Sequence, residues 1–303
     1  MQFSFLKGAL AAASMLVVTS AFAAASSTAS LTNLHFQLVD LTPDDGIAPS
    51  FQLLSTASYN GYSAPDRISG QVQNNAGPYS TVNYQIVDLT PLGNLSKTES
   101  VSGVSVSSAI ADTSLMASGT STQGKTSYSA GASIDANSYY GGGIKLSANS
   151  ALIITADAWV DASALNVVEN TSNYCCYYTN PETASAGVSL SLTGPGVGGS
   201  QNSSSSLTAS VSGSSNYTYV YDPVYGYYRS VFVSPDGRPL LQTNSGKLGV
   251  TFLNTTSSDQ IATLTATVSV SGTSVAAVPE ASTVVLSSLG LLSAAMVARR
   301  RRA

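Results

Sequence analysis

Apolar and polar residues alternate with a period of two along the middle of the chain. In the run 263–270, Leu264, Ala266, Val268 and Val270 are separated by threonine and serine. Successive side chains of a strand point to opposite faces, so this pattern predicts strands with one buried face and one face in water. Comparable runs occur at 34–41, 82–89, 101–106, 188–192 and 247–253.

These runs predict the fold class. Between Thr28 and Val275 no stretch has the 3.6-residue apolar period of an amphipathic helix, and clusters of Gly, Pro, Asn and Ser separate the short strands. We therefore predict an all-β domain over residues 28–275, an antiparallel β-sandwich or jelly roll. We also predict a loop or domain boundary near 194–206, and a C-terminal hairpin in which 247–253 pairs with 261–270.

One segment occurs twice. Residues 34–43 and 82–91 are identical at six of ten positions. In each copy the alternation runs to an aspartate, Asp40 or Asp88, and a proline follows that cannot donate to a strand ladder. We expect two equivalent strands of one sheet system.

The N-terminus has the pattern of a secretory signal peptide. Lys7 precedes an apolar run from Gly8 to Val18, and small residues in an A-x-A arrangement follow. We predict a signal peptide over 1–25, with cleavage after Ala23 or Ala25.

The C-terminus has the pattern of a membrane anchor. Residues 283–298 carry no charge across 16 positions, near the lower length limit for a transmembrane helix, and a basic cluster follows: Arg299, Arg300, Arg301 and Arg302. Because basic clusters stay on the cytoplasmic side, we predict that these arginines stop transfer and that everything before Thr283 lies outside.

The motif Val278, Pro279, Glu280 and Ala281 stands directly before this helix. The three-part ending over 278–303 resembles the PEP-CTERM family of sorting signals, with alanine in place of the usual second proline. The resemblance implies processing by an exosortase, a tethered intermediate at the inner membrane, and delivery to the cell surface or extracellular space. It also implies a Gram-negative host that makes exopolysaccharide.

Charge excludes one class of partner. Lys7 and the four terminal arginines lie outside residues 24–280, so seven of the 12 basic residues oppose all 16 acidic ones, a formal net charge of −9. Nucleic-acid affinity rests on phosphate neutralisation by cations, so we expect no nucleic-acid partner.

The cysteines, Cys175 and Cys176, are adjacent. They cannot staple distant strands, and two ligands do not make a zinc site. A vicinal disulfide, two free thiols and an intermolecular link remain open.

No catalytic motif stands in a suitable context. Gly119–Thr126 fits the P-loop pattern and Gly194–Gly199 fits G-x-G-x-x-G, but no helical pattern follows either one. The single histidine, His35, lies in a strand run, and no G-x-S-x-G elbow occurs. We predict that the protein is not an enzyme and has no resident cofactor.

Two candidate binding features remain. Asp40, Asp44 and Asp45 surround one turn, where carboxylates either bind calcium or simply form the turn. Tyr217, Tyr219 and Tyr221 alternate along one strand, and Tyr225, Tyr227 and Tyr228 follow the turn at 222–224. Tyr217, Tyr219, Tyr221, Tyr225 and Tyr227 are the candidate glycan-binding set, with sheet stabilisation as the structural alternative. We predict that the single tryptophan, Trp159, belongs to the core.

These expectations combine into one functional hypothesis. The chain is predicted to be a structural or adhesive protein of the cell surface or extracellular matrix, associated with exopolysaccharide or biofilm. The alternative is a carbohydrate-binding module that uses the tyrosine-rich hairpin.

Overall fold

All regular structure in the described part of the chain is β-strand, which confirms the prediction of an all-β, antiparallel unit. The structure is a computed structural model, and it describes residues 25–46, 48–55, 66–75, 79–88, 92–122, 124–136, 142–173, 176–196, 199–214, 216–224, 226–233 and 236–275. Residues 24–278 form one compact unit.

Eighteen strands are described. They are β1 (Ala25–Asp40), β2 (Phe51–Leu54), β3 (Asp66–Asn74), β4 (Ser80–Asp88), β5 (Leu95–Val101), β6 (Val104–Ala111), β7 (Ser114–Ser121), β8 (Thr126–Ala136), β9 (Gly143–Leu146), β10 (Ser150–Leu165), β11 (Val168–Asn173), β12 (Cys176–Pro181), β13 (Thr183–Gly196), β14 (Gly199–Ser212), β15 (Asn216–Asp222), β16 (Tyr227–Val233), β17 (Pro239–Asn254) and β18 (Gln260–Ser274).

The strands form two large sheets and two separate hairpins. Sheet 1 has the order β17-β10-β1-β7-β6-β5. Sheet 2 has the order β14-β13-β18-β8-β3-β4, with β9 and β2 added beside the start of β18. The pairs β11–β12 and β15–β16 stand apart, and every pairing is antiparallel.

One hydrophobic core lies between sheet 1 and sheet 2. Alternate residues of β10 face it, from Leu152 to Ala164, and alternate residues of β18 face it from the other layer, from Ala262 to Val270. The opposite faces of both sheets carry mainly serine, threonine and glycine. The period-two pattern therefore places the apolar side chains of both layers in one shared interior.

Strand β1, one of three 16-residue strands in sheet 1, changes the phase of its buried face in its middle. The register of β1 against β10 shifts between Thr32 and His35, and Asn33 has a positive φ of 55°. This β-bulge moves the buried face from odd positions such as Leu31 to even positions such as Leu34. The shift explains why the sequence pattern began at residue 34 although the strand begins at Ala25.

The predicted C-terminal hairpin is wrong. Strand β17 pairs with β10 in sheet 1, whereas β18 pairs with β13 and β8 in sheet 2. The turn is where the sequence placed it, but it carries the chain from one layer to the other. Both strands bury alternate apolar residues in the same core, and this pattern is equally compatible with a hairpin.

The repeated segments are not equivalent strands of one sheet. The first copy forms the end of β1 in sheet 1, where β1 pairs with β10, and the second forms β4 at the edge of sheet 2. The strand ends are as predicted, because β1 stops at Asp40 and β4 stops at Asp88.

Two local expectations need correction. The described residues of the range 194–206 are not a loop or domain boundary, because 194–196 and 199–206 belong to the paired strands β13 and β14. The run 101–106 is interrupted by a turn at Ser102 and Gly103, both with positive φ. Gly119–Thr126 joins the end of β7 to the start of β8 without a helix, as expected for an accidental P-loop match.

Both large sheets share an end from which the two separate hairpins leave. We call it the hairpin end: Ala25, Leu165, Thr183, Ser212, Pro239 and Ser274 lie there. The first and last strands of the unit therefore begin and finish beside the hairpins.

The predicted terminal segments lie outside the described residues. These are the signal peptide up to Ala24, the motif at 278–281, the span 283–298 and the arginines 299–302. Among the residues that are described, no helix is long and apolar enough to cross a membrane.

Candidate functional site

The tyrosine-rich region is a hairpin, as the sequence predicted. Strands β15 and β16 pair antiparallel, with Tyr221 opposite Tyr228 and Tyr219 opposite Ser230. The turn between them begins at Asp222, whose carboxylate accepts the Val224 N–H at 3.0 Å. We call this pair of strands the tyrosine hairpin.

The described tyrosines of this hairpin are exposed. Tyr219 and Tyr228 are 73% and 67% exposed, and the ring centroids of Tyr221 and Tyr228 lie 5.3 Å apart in an edge-to-face arrangement. Val220 and Val224 are exposed beside them. An aromatic and aliphatic surface of this kind, outside the core of its own chain, is typical of an interaction site.

The register of β15 against β16 corrects the predicted set of glycan-binding tyrosines. Tyr228 pairs with Tyr221 and joins its face, whereas Tyr227 pairs with Asp222 and lies on the other face. Tyr217 pairs with Phe232 through the backbone, and Tyr225 lies outside the described residues. The face carrying Tyr219 and Tyr221 is therefore completed by Tyr228.

Asn166 fixes the base of the tyrosine hairpin. Its side-chain amide donates to Asp236 Oδ1 at 2.7 Å, and its side-chain oxygen accepts the Ser214 N–H at 3.0 Å. Its backbone N–H donates to the Arg238 carbonyl at 2.7 Å. The buried Asn166 thus ties the end of β10 to the segments on both sides of the hairpin, and its hydrogen bond lowers the pKa of Asp236.

Glu182 has the matching place at the base of β11–β12. It is fully buried, and its Oε1 accepts the Leu165 N–H at 2.7 Å. Its backbone N–H donates to the Val167 carbonyl, and its own carbonyl accepts the Gly213 N–H. Sequence reasoning found neither Asn166 nor Glu182, because nothing local marks a polar residue as the junction of two distant hairpins.

One of the two adjacent cysteines, Cys176, lies at the tip of the other hairpin. Cys176 starts β12 opposite Asn173, and Cys175 lies outside the described residues. All three alternatives for the cysteines therefore remain open.

The three aspartates of the predicted calcium turn are not gathered around a common point. Asp40 Oδ1 accepts the Thr42 N–H at 2.9 Å, and Asp45 Oδ2 accepts the Thr42 hydroxyl at 2.6 Å. Asp44 is exposed. Across the described ranges no group of three or more His, Cys, Asp or Glu side chains could hold a metal ion. The geometry corresponds to the turn-forming alternative.

Trp159 is not a core residue. Its neighbours Ala158 and Val160 face the interior of the unit, so Trp159 faces outward, between Ser30 and Ser245 on the adjacent strands. The prediction failed because it did not use the phase of the strand, in which Trp159 shares the outward face with Asp157 and Asp161. His35 is an exposed strand residue.

Asp66 is a buried carboxyl group that the sequence did not reveal. It begins β3 opposite Asp88, and its Oδ2 accepts the Gly93 N–H at 2.6 Å. Its Oδ1 has no hydrogen-bond partner among the described residues. Burial raises its pKa from 3.8 to about 6, although the Gly93 and Leu92 N–H groups act in the opposite direction.

Comparisons with known proteins identify no relative. The chain matches no protein-family model, no curated protein and no solved structure.

Proposed function

We propose that this chain is an exported, non-enzymatic protein of the cell surface or extracellular matrix, with a structural or adhesive role. The observation that carries the proposal is the tyrosine hairpin. It presents Tyr219, Tyr221 and Tyr228 to solvent, away from the core that stabilises the rest of the unit. Tyrosine suits adhesive contact because its ring buries a large area while its hydroxyl still hydrogen-bonds.

The architecture supports a display role. The chain crosses repeatedly between two face-to-face sheets, an arrangement that supports the sandwich form of the predicted fold. Asn166 and Glu182 hold the hairpins on this scaffold through short hydrogen bonds. A contact surface carried on a rigid base loses less conformational entropy on binding than a flexible loop does.

The adhesive role is tested by replacing Tyr219, Tyr221 and Tyr228 together with serine. Producing cells are separated into cell-bound matrix and culture medium, and the protein is quantified in each. We expect the variant to move from the matrix to the medium. Tyr79→Ser is the matched control, because Tyr79 is 74% exposed but lies outside the hairpin. An unchanged distribution of the triple variant would contradict the adhesive role.

The sorting step is tested separately at the PEP-CTERM-like motif. Replacing Pro279 and Glu280 with alanine is expected to leave a larger precursor in the inner-membrane fraction. Processing and release like those of the wild type would remove exosortase from the proposal and leave the adhesive role to its own test.

Carbohydrate binding by the tyrosine hairpin is the second candidate. The edge-to-face pair of Tyr221 and Tyr228, with Tyr219 on the same face, supports this candidate because such rings can stack on sugars. Glycan-array binding that Tyr219→Ala abolishes and Tyr79→Ala leaves intact would support it. Equal binding by both variants would oppose it.

A further inference from the structure

The outer face of sheet 2 contains a depression of about 590 Å³, distinct from the tyrosine hairpin. Residues of β13, β18, β8, β3 and β4 line it. The polar side chains among them lie on the opposite side of the sheet from the shared core, so the depression is open to solvent.

Its floor is a row of small residues that runs across the strands. Ser269 of β18 pairs with Gly131 of β8, which pairs with Ser69 of β3. On the other side of Ser269 the same row continues to Gly187 of β13, which borders the depression without lining it. Adjacent strands lie about 4.8 Å apart, so this row is about 14 Å long from β13 to β3. We call the depression with this floor the trench.

The fold does not require glycine at position 187. Gly187 lies inside a regular strand without a positive φ, and an added Cβ would meet only Ser269 Oγ at 3.6 Å and Thr208 Cγ2 at 3.7 Å. Glycine in a strand interior costs about 0.5 to 1 kcal/mol relative to alanine. Such a glycine often marks a place where another molecule approaches the backbone closely.

The trench has a wall on each side, formed by the neighbouring rows of the sheet. One wall consists of Ser185, Ser271, Ser129, Gln71 and Asn83, in pairing order across the strands. The other consists of Thr267, Ser133 and Arg67. Hydroxyl and amide groups both donate and accept hydrogen bonds, so the walls match a ligand that also does both.

Charge and polarity narrow the ligand class. Arg67 is the one charged residue of the two walls, and it acts on Asp135, whose pKa its charge lowers against the larger raising effect of burial. Protein interfaces are anchored mainly by tryptophan, tyrosine and arginine, and among the residues of the two walls only Arg67 is of these types. The net charge of −9 over 24–280 disfavours an anionic polymer.

We infer that the trench binds a neutral polysaccharide chain laid across the strands of sheet 2. The inference rests on the proposed function, for which it supplies a ligand class and a second contact surface. Hydrogen bonds from the wall amides and hydroxyls orient the sugar hydroxyls. The small floor lets the sugar rings approach the sheet closely, so a side chain added to the floor blocks them.

The test is a titration of the full-length chain, in a detergent without a sugar headgroup, with neutral hexasaccharides: cellohexaose, laminarihexaose and maltohexaose. We expect at least one to bind. Ser269→Ile, which fills the floor with a β-branched residue suited to a strand, is expected to weaken that binding by at least about tenfold. Ser118→Ile is the matched control, because Ser118 faces outward from the middle of β7 in sheet 1.

A second variant separates blocked binding from misfolding. Gly187→Thr is expected to weaken binding while its melting temperature stays at or above that of the wild type, because the Cβ fits and threonine favours strands. Wild-type affinity in Ser269→Ile, no binding to any neutral hexasaccharide, or binding only to polygalacturonate would overturn the inference. Loss of binding only in Tyr219→Ala would move the site to the tyrosine hairpin. The matrix-retention experiment is independent of all these results.

Discussion

At the scale of single residues, two tyrosines join the layers by lying over glycines. The ring of Tyr128 occupies the space that a Cβ would need at Gly119 of sheet 1, and its hydroxyl lies 2.9 Å from Ser27 Oγ. The ring of Tyr84 covers Gly70, and its hydroxyl lies 2.7 Å from Ser108 Oγ in sheet 1. Gly119, which fits the P-loop pattern in the sequence, therefore has a packing role: its missing side chain leaves room for the Tyr128 ring.

Gly119→Ala is expected to destabilise the protein. The new methyl group would clash with the Tyr128 ring in the core, and overpacking of this kind costs about 1 to 3 kcal/mol. Urea unfolding measures the change in the free energy of unfolding. Gly249→Ala is the control, because its Cβ would meet Thr155 Cγ2 at an ordinary 3.8 Å. Equal stability of the two variants would contradict the packing role of Gly119.

Asp66 makes stability depend on pH. Its pKa of about 6 in the folded state lies above its ordinary 3.8, because burial disfavours the charged form. Between these values the folded state holds the proton more tightly than the unfolded state, so the contribution of Asp66 to the free energy of unfolding falls as pH rises. The two-unit difference corresponds to about 2 to 3 kcal/mol.

Asp66→Asn is therefore expected to stabilise the protein above pH 6 and to change little near pH 4. Asparagine keeps an acceptor for the Gly93 N–H and removes the buried charge. Urea unfolding across this pH range measures the effect. Asp112→Asn, in an exposed turn, should not reproduce it. A wild-type pH profile in Asp66→Asn would contradict the assignment.

At the scale of elements, strands could be predicted but their partners could not. The runs at 34–41, 82–89, 188–192, 247–253 and 261–270 all lie in or overlap strands. The bulge in β1 prevented the sequence pattern from predicting the first half of the strand, because the buried positions change from odd to even at Asn33. The turn between β17 and β18 was placed correctly, yet the strands separate into different sheets, because period two identifies a buried face and not the neighbour.

The hairpin bases provide a prediction at this scale. Asn166→Ala removes bonds to Asp236 and Ser214 from a buried position, and unsatisfied buried groups cost about 1 to 3 kcal/mol. We expect faster amide hydrogen exchange in 213–214 and 236–238, with little change in β18. Asn202→Ala is the control, since Asn202 is exposed. Exchange that rises uniformly through the protein would contradict a local clamp.

At the scale of the whole molecule, the position of β1 distinguishes between the two predicted cleavage sites of the proposed signal peptide. Ala25 is fully buried and pairs with Ala164 and Ser121. Cleavage after Ala25 would remove a core residue and place a charged amine on Ser26, itself buried. We therefore expect cleavage after Ala23, which intact-mass measurement of the exported protein would show as an N-terminal Ala24. A mature chain beginning at Ser26 would contradict this.

The sequence alone determined what depends on neighbouring residues: the all-β class, most strand positions, the tyrosine hairpin and the resemblance of the C-terminal end to a sorting signal. Period-two alternation and turn residues act over a few positions, so they can be read directly. Tertiary structure alone decided which strands pair, that Trp159 faces outward, and that Ser69, Gly131 and Ser269 meet in one trench. Antiparallel pairing joins residues far apart in the chain, and local patterns do not specify those partners.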